Sequence, residues 1–387
     1  MHTPGNAKSQ QEQMVQAAQT NLPHIPLVQT SFPAEYADCV RNQVLSGFIG
    51  PGQVTSTFAA KLAEYAGVPY CILTVSGTIA LSIAAKAVGL RPGDEILVPA
   101  YGVISTINAF ASIGLKPRLV DIEKNSGSIS LRQVERVISS KTKSVCYVNF
   151  SGYTGQDLLE LGEYCSQNNI PLIEDAACAL GQMYNGTKAG AFGHVGTYSF
   201  SVPKILTTGQ GGALVTADEA IYKKAAAFID HGDMEWRRTN LNREIGTNLR
   251  FTDIQSTLGL AQLRDIEERL QLKRSAFKVL KDALGERLFD VPGGEAPLHN
   301  IVFSEHPDQL VIALTANGVS AVRPYRLLSQ HPAYQALAAS GMDNSQFWTD
   351  HAVYLPFGLA LTPQDAERIV ATIEASDISL LSIQSRQ

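Results

Sequence analysis

From about residue 54 the chain alternates short, nearly all-apolar runs with helical patterns, and this alternation constrains the fold more than any single residue. FAAKLAEYAG (58–67) reads as an amphipathic helix ending at Gly67, and YCILTV (70–75) as a strand. TIALSIAAKAVGL (78–90) is helical, and EILVPA (95–100) and PRLVDI (117–122) are strands. Helix 131–138, strand 144–150, helix 157–168 and strand 170–175 continue the series, and 195–201 and 211–217 are two further strands. Runs this apolar suit strands covered on both faces. Their alternation with helices predicts a largely parallel α/β sheet with right-handed crossovers. From Phe251 to about Leu288 the pattern turns helical and charged, and Pro292, Gly293, Gly294 and Pro297 then break it. We therefore expect a polar tail over 1–24, a large α/β domain over 25–265 and a smaller C-terminal α/β domain over 266–387.

Charge and cysteine usage narrow the partners. Thirty-one basic side chains face thirty-six acidic ones, a net charge of −5, which argues against nucleic acid as the main partner. The uncharged stretch between Glu95 and Lys116 is long enough to cross a bilayer, but Pro99, Gly102 and Asn108 interrupt it, so no membrane span is expected. Residues 1–24 are polar and Gln-rich and do not read as a signal peptide. Five cysteines, none in a CxxC, favour reduced thiols in the cytoplasm over a disulfide framework. No HExxH or paired histidine spacing suggests a metal site.

In parallel α/β sheets ligands bind beyond the carboxyl ends of the strands. Three segments at such ends carry chemistry. Ser76, Gly77 and Thr78 open a helix straight after strand 70–75, where free N–H groups and the helix dipole suit an anion. Alone, an SGT is more often an ordinary N-cap. Glu174 and Asp175 end strand 170–175; a carboxylate there needs a partner, and a capping role is equally open. Lys204 follows an apolar strand and precedes Thr207, Thr208 and three glycines. Partial desolvation would lower its pKa and make it a nucleophile and base, whereas a lone surface lysine would snorkel outward. A phosphate site, a carboxylate for a ring nitrogen and a lysine for a Schiff base are together the requirements of pyridoxal 5′-phosphate (PLP).

The segments GTIALSIAAKAVGLRPGDEILVPA, IEDAACALG, YSFSVPKILTTGQGGA and GTNLRFTDIQSTLGLAQL, in this order, resemble the DegT/DnrJ/EryC1/StrS family of PLP-dependent sugar aminotransferases. The resemblance implies the type I PLP-transferase fold. It implies that Lys204 is the Schiff-base lysine, that Asp175 partners the pyridine nitrogen, and that Ser76, Gly77, Thr78 and Ser199 surround the phosphate. It further implies that Asn248 reaches the phosphate of a neighbouring subunit, and hence a homodimer with shared sites. Two positions depart from the family pattern. Val103 stands where an aromatic residue usually covers the ring, with Tyr101 as a possible substitute, and Cys178 stands where Gln or Glu is usual.

The family implies transfer of an amino group from glutamate or glutamine to a keto sugar, most often a nucleotide-linked keto-deoxyhexose. Tyr101, Arg237 in the mixed-charge stretch 231–248, and Arg323 and Tyr325 in GVSAVRPYRLLSQHPAY, are the candidate substrate residues. Two other readings stay open at this point. One is a PLP enzyme acting on a cyclitol or another keto substrate. The other is a non-catalytic regulator that keeps the fold.

Overall fold

The computed structural model describes residues 23–294 and 296–383, so the expected tail lies outside the described residues as far as residue 22. Its centre is a seven-stranded sheet. In chain order the strands are β1 (Tyr70–Thr74), β2 (Glu95–Pro99), β3 (Lys116–Val120), β4 (Thr142–Val148), β5 (Leu172–Asp175), β8 (Val195–Ser199) and β9 (Gly212–Thr216). Between β5 and β8, β6 (Met183–Tyr184) and β7 (Thr187–Lys188) form a separate tight hairpin. Asn185 and Gly186 at its tip both have positive φ, as a two-residue hairpin turn requires.

The spatial order is β1-β9-β8-β5-β4-β2-β3. Every pairing from β8 to β3 is parallel, and β9 runs antiparallel to both β1 and β8. Six strands therefore point the same way and their carboxyl ends share one edge. Helices Gly77–Ala87, Ile104–Ala111 and Glu219–Ile229 share one core cluster on the sheet, and helix Gln53–Ala66 contributes to another. The latter helix ends as expected, with Gly67 left-handed at φ 76° and its N–H returned to the last turn.

The helical stretch after Phe251 is two helices, Asp253–Arg264 and Ile266–Leu284, with a break at Asp265. Beyond them β10 (Asn300–Ser304) pairs antiparallel with β11 (Ala352–Leu355) and β12 (Leu380–Leu381). Helices Pro307–Ala316 and Pro363–Ala375 and the inner face of Ile266–Leu284 cover this small sheet with a core of their own. Ile25 belongs to that core and bridges to Val319, so the chain begins its described course against the C-terminal sheet.

Candidate active site

The strand ends deliver the expected groups to one place. Ser76 caps helix Gly77–Ala87, its hydroxyl accepting from the Ile79 N–H at 3.2 Å. This is the ordinary capping role, and it coexists with a helix N-terminus that opens at the edge of the sheet. Gly77 packs on Ser199 at the end of β8: a Cβ on Gly77 would lie 2.9 Å from that of Ser199. The helix start and Ser199 therefore form one cradle that only glycine permits. Thr78 follows on the first helical turn.

Glu174 and Asp175 are both buried at the end of β5, and their side chains have opposite duties. Glu174 accepts from the N–H groups of Gly190, Phe192 and Gly193 at 2.7, 3.0 and 3.3 Å and fixes the turn that leads into β8. Burial nevertheless pushes its carboxyl up to about 7. Asp175 points to the other face. Its Oδ2 accepts from the Thr106 hydroxyl at 2.7 Å and its Oδ1 from the Ala177 N–H at 3.2 Å. Burial raises its pKa, opposed by those two donors and by Lys204.

The Lys204 Nζ donates to Cys178 Sγ at 3.1 Å. Burial alone would lower its pKa, as the sequence suggested. Cys178, Tyr325 and Asp175 around it outweigh burial, and the net shift is upward. The loop that carries Lys204 is pinned by two residues that sequence reasoning did not single out. Gln262 accepts from the Thr207 N–H at 3.0 Å and donates to its carbonyl at 2.6 Å, and Arg269 Nε donates to the Ile205 carbonyl at 2.9 Å.

The remaining candidates separate. Tyr325 faces the Lys204–Cys178 pair from the C-terminal half. Tyr101 is buried, its ring packed against Phe150, Trp348 and Tyr325 at 5.5–5.8 Å, so it does not replace the missing aromatic cover. Val103 is 39% exposed immediately before helix Ile104–Ala111, three residues before Asp175's partner Thr106. Arg323 is engaged elsewhere: it donates to the carbonyls of Thr349, Asp350 and Ala352 and pairs with Asp308 at 2.9 Å. These bonds make it a cap on helix Asp343–His351. The Arg237 side chain lies outside what is described. Asn248 bridges to Asp230, and its Oδ1 accepts from Arg250 Nε at 3.0 Å. Among the described residues, no hydrogen bond joins it to Lys204 or to the Gly77 cradle of its own chain.

Two buried groups of the C-terminal half went unnoticed in the sequence. His299 stacks on Tyr354 at 4.5 Å and contacts Ser151 through Nδ1 at 3.2 Å; burial, then Lys204 and Lys273, hold its pKa well below the usual histidine range. Lys273, on helix Ile266–Leu284, is buried, and its pKa is pulled down by burial to about 7. A histidine or lysine within a helical or apolar pattern carries no signal of this sort, because its surroundings come from distant segments.

A parallel sheet with a glycine-started helix, a buried aspartate and a lysine converging at its carboxyl edge defines a type I PLP-transferase fold and site. The chain belongs to the DegT/DnrJ/EryC1/StrS aminotransferase family, whose profile matches residues 32–374. It is 30% identical over 341 residues to GDP-perosamine synthase of Caulobacter vibrioides, covering 84% of this chain and 90% of that one. It is 29% identical to the dTDP-4-dehydro-2,3,6-trideoxy-D-glucose 4-aminotransferase of Saccharopolyspora spinosa, covering 81% and 86%. Among solved structures, the aminotransferase TlmJ from Streptoalloteichus hindustanus superposes with a TM-score of 0.85 at 25% identity, over 91% of this chain and 98% of that one. No helix among the described residues is long and apolar enough to cross a membrane.

Proposed function

We propose that this chain is a PLP-dependent aminotransferase that moves an amino group from glutamate or glutamine to a nucleotide-linked keto-deoxyhexose. The observation that carries the reading is the convergence of Lys204, the buried Asp175 and the glycine-started helix N-terminus on one edge of the sheet.

The residues present fit PLP. Asp175 is a buried carboxylate to which no cationic side chain among the described residues is hydrogen-bonded; neutral donors hold it, and a protonated ring nitrogen is a cation that suits it. The Gly77–Ser199 cradle, where a side chain on Gly77 would collide, leaves room for a phosphate against the helix N–H groups, with Ser76 and Thr78 beside it. Lys204 would hold the cofactor covalently, with Cys178 against its amine, and Val103 would stand at the position from which the family covers the ring. When bound, PLP supplies the electron sink that stabilises negative charge at the donor's α-carbon. The chain's own work is proton handling. The Lys204 Nζ takes the α-proton of the donor and returns a proton in the second half of the cycle, and Asp175 keeps the ring nitrogen protonated. Tyr325 is close enough to Lys204 to favour the charged form of its amine.

We also read the enzyme as a homodimer. Leu45 and Phe48 are 72% and 77% exposed, with Val44 and Ile49 beside them, an apolar patch that a second copy would cover. Asn248, not bonded to its own site, would reach the partner's phosphate. All five cysteines are free, which suits the cytoplasm.

The test is an absorption spectrum of the purified protein before and after L-glutamate. We expect a visible cofactor band that glutamate bleaches and a nucleotide-linked keto sugar restores. A protein that takes up no PLP would overturn the reading.

A further inference from the structure

Lys204 and Cys178 are delivered by neighbouring strands. β5 and β8 pair in parallel, with Asp175 opposite Thr197. A tight turn follows each strand. After β5 the Ala177 N–H returns to Asp175 Oδ1 and the Ala179 N–H to the Ala176 carbonyl at 2.9 Å, and Cys178 lies between the two. After β8 the Lys204 N–H returns to the Ser201 carbonyl at 3.1 Å. Gly152, at φ 101°, packs on the first turn so closely that a Cβ there would lie 3.2 Å from the Cys178 carbonyl. Backbone bonds and close packing therefore set where the two side chains meet.

They meet at 3.1 Å, Nζ donating to Sγ. Among the described residues, Cys178 is the one acceptor hydrogen-bonded to this amine. Asp175 gives its two oxygens to Thr106 and Ala177 and acts on Lys204 through its charge. Tyr325 stands near both members of the pair. Cys71, Cys146 and Cys165 are buried in the core, whereas Cys178 is only partly buried, beyond the end of its strand.

We propose that Cys178 is the positioning residue for the Lys204 amine once the amino donor has displaced it. The inference rests on the aminotransferase reading above and adds a residue to it. A detached lysine is a flexible four-carbon stem, whereas a base must stand within hydrogen-bond reach of the proton it takes. With one N–H held on sulfur, Nζ stays beside the donor's α-hydrogen, and the lone pair of the neutral amine is left for that proton. Sulfur is a weaker acceptor than the oxygen of a Gln or Glu, so Cys178 directs the amine and still releases it.

Two measurements test this role. The first treats the full-length protein, stripped of cofactor, with o-phthalaldehyde, which joins an adjacent primary amine and thiol into a fluorescent isoindole with loss of two waters. We expect wild type to fluoresce, with the link mapped by mass spectrometry to residues 178 and 204. Cys178→Ser and Lys204→Met should lack that link, and saturating PLP, which occupies Nζ, should suppress it. The second follows bleaching of the PLP-loaded protein by L-glutamate and by glutamate deuterated at the α-carbon. Cys178→Ala should slow bleaching at least about tenfold and raise the deuterium isotope effect, as a misplaced base does. The half-saturating glutamate concentration should stay within about twofold, because no donor contact is removed. Cys178→Ser, which keeps an acceptor at the same place, should recover most of the rate. Cys178→Val serves the same purpose should the alanine variant fold poorly. No isoindole in stripped wild type overturns the proposal. So does an alanine variant that bleaches at the wild-type rate, or one that slows with an unchanged isotope effect, which a merely structural role would give. The aminotransferase reading stands in all three cases. Wild type that no amino acid bleaches removes the aminotransferase reading itself, and the proposal with it.

Discussion

The floor of the site and its wall are built by different means. Asp175 and Ser199 end neighbouring strands of one sheet, Gly77 opens the helix after a third, and Lys204 lies a few residues beyond Ser199. Backbone ladders fix their spacing, and short side-chain bonds such as Thr106–Asp175 finish it. The wall comes from scattered pieces of the C-terminal half: Tyr325, Tyr354, His299 and Lys273. Ring contacts hold it, with Tyr101–Tyr325 at 5.8 Å, Tyr325–Tyr354 at 5.9 Å and Tyr354–His299 at 4.5 Å. A ladder sets position without regard to side-chain volume, whereas ring packing depends on it. Substitutions in the floor should therefore strike the chemistry, and substitutions in the wall should strike substrate affinity and stability.

The sharpest test of that contrast is Lys204→Ala. It should abolish the visible cofactor band and lower turnover by about four orders of magnitude, since it removes nucleophile and base together. Its melting temperature should stay close to wild type. Turnover near the wild-type rate would show that another group moves the proton. Asp175→Asn comes next: an amide no longer favours a protonated ring nitrogen, and turnover should fall by about two to three orders of magnitude with the cofactor still bound. Full activity would mean that the floor does not hold the ring by this carboxylate.

Thr106→Val probes how the floor is finished. It keeps the shape of the side chain and removes the hydroxyl that donates to Asp175 at 2.7 Å. Loss of one hydrogen bond to a buried charge corresponds to about a tenfold or greater fall in turnover. The pH profile should move with it, because this donor opposes the upward push of burial on Asp175. With the donor gone, Asp175 titrates at higher pH, so the acid limb of the activity profile should shift upward. A profile that does not move would assign Thr106 to packing alone.

The same contrast explains what could be read from the sequence. All seven strands of the large sheet were legible, because each is a short, nearly all-apolar run. Their carboxyl ends then named Gly77, Asp175 and Lys204. Strand 144–150 was read too far: Asn149 leaves the ladder to cap the following turn, with its amide on the Tyr153 carbonyl and the Thr154 hydroxyl. The wall was nearly illegible. Lys273 sits among charged residues in LQLKRSAFK, and only the docking of its helix against the Lys204 loop makes it the buried member. Tyr101 stood as an open substitute for the ring cover because it is close to Val103 in sequence. A helix begins at Ile104, and the backbone before it turns Tyr101 into the core while Val103 stays half exposed. Proximity along the chain is a poor guide wherever the backbone changes direction.

Arg323→Met gives the smallest effect and bears on the wall. The arginine joins three carbonyls at the end of helix Asp343–His351, and its ion pair to Asp308 reaches a side chain that is 80% exposed. The exposed pair adds little. The carbonyls matter more, because they are the groups a helix C-terminus leaves without partners, and a cation there also meets the favourable end of the dipole. Methionine keeps the aliphatic stem and removes every donor, so unfolding free energy should drop by about 1–3 kcal/mol in a denaturant titration. The donor half-reaction should be unchanged. The sugar KM decides the matter: if it too stays level, Arg323 only holds β11 and the helix before it in place. If it rises tenfold while stability holds, the wall recognises substrate through a residue whose nitrogens are otherwise engaged, and the division between a chemical floor and a packed wall fails at that point.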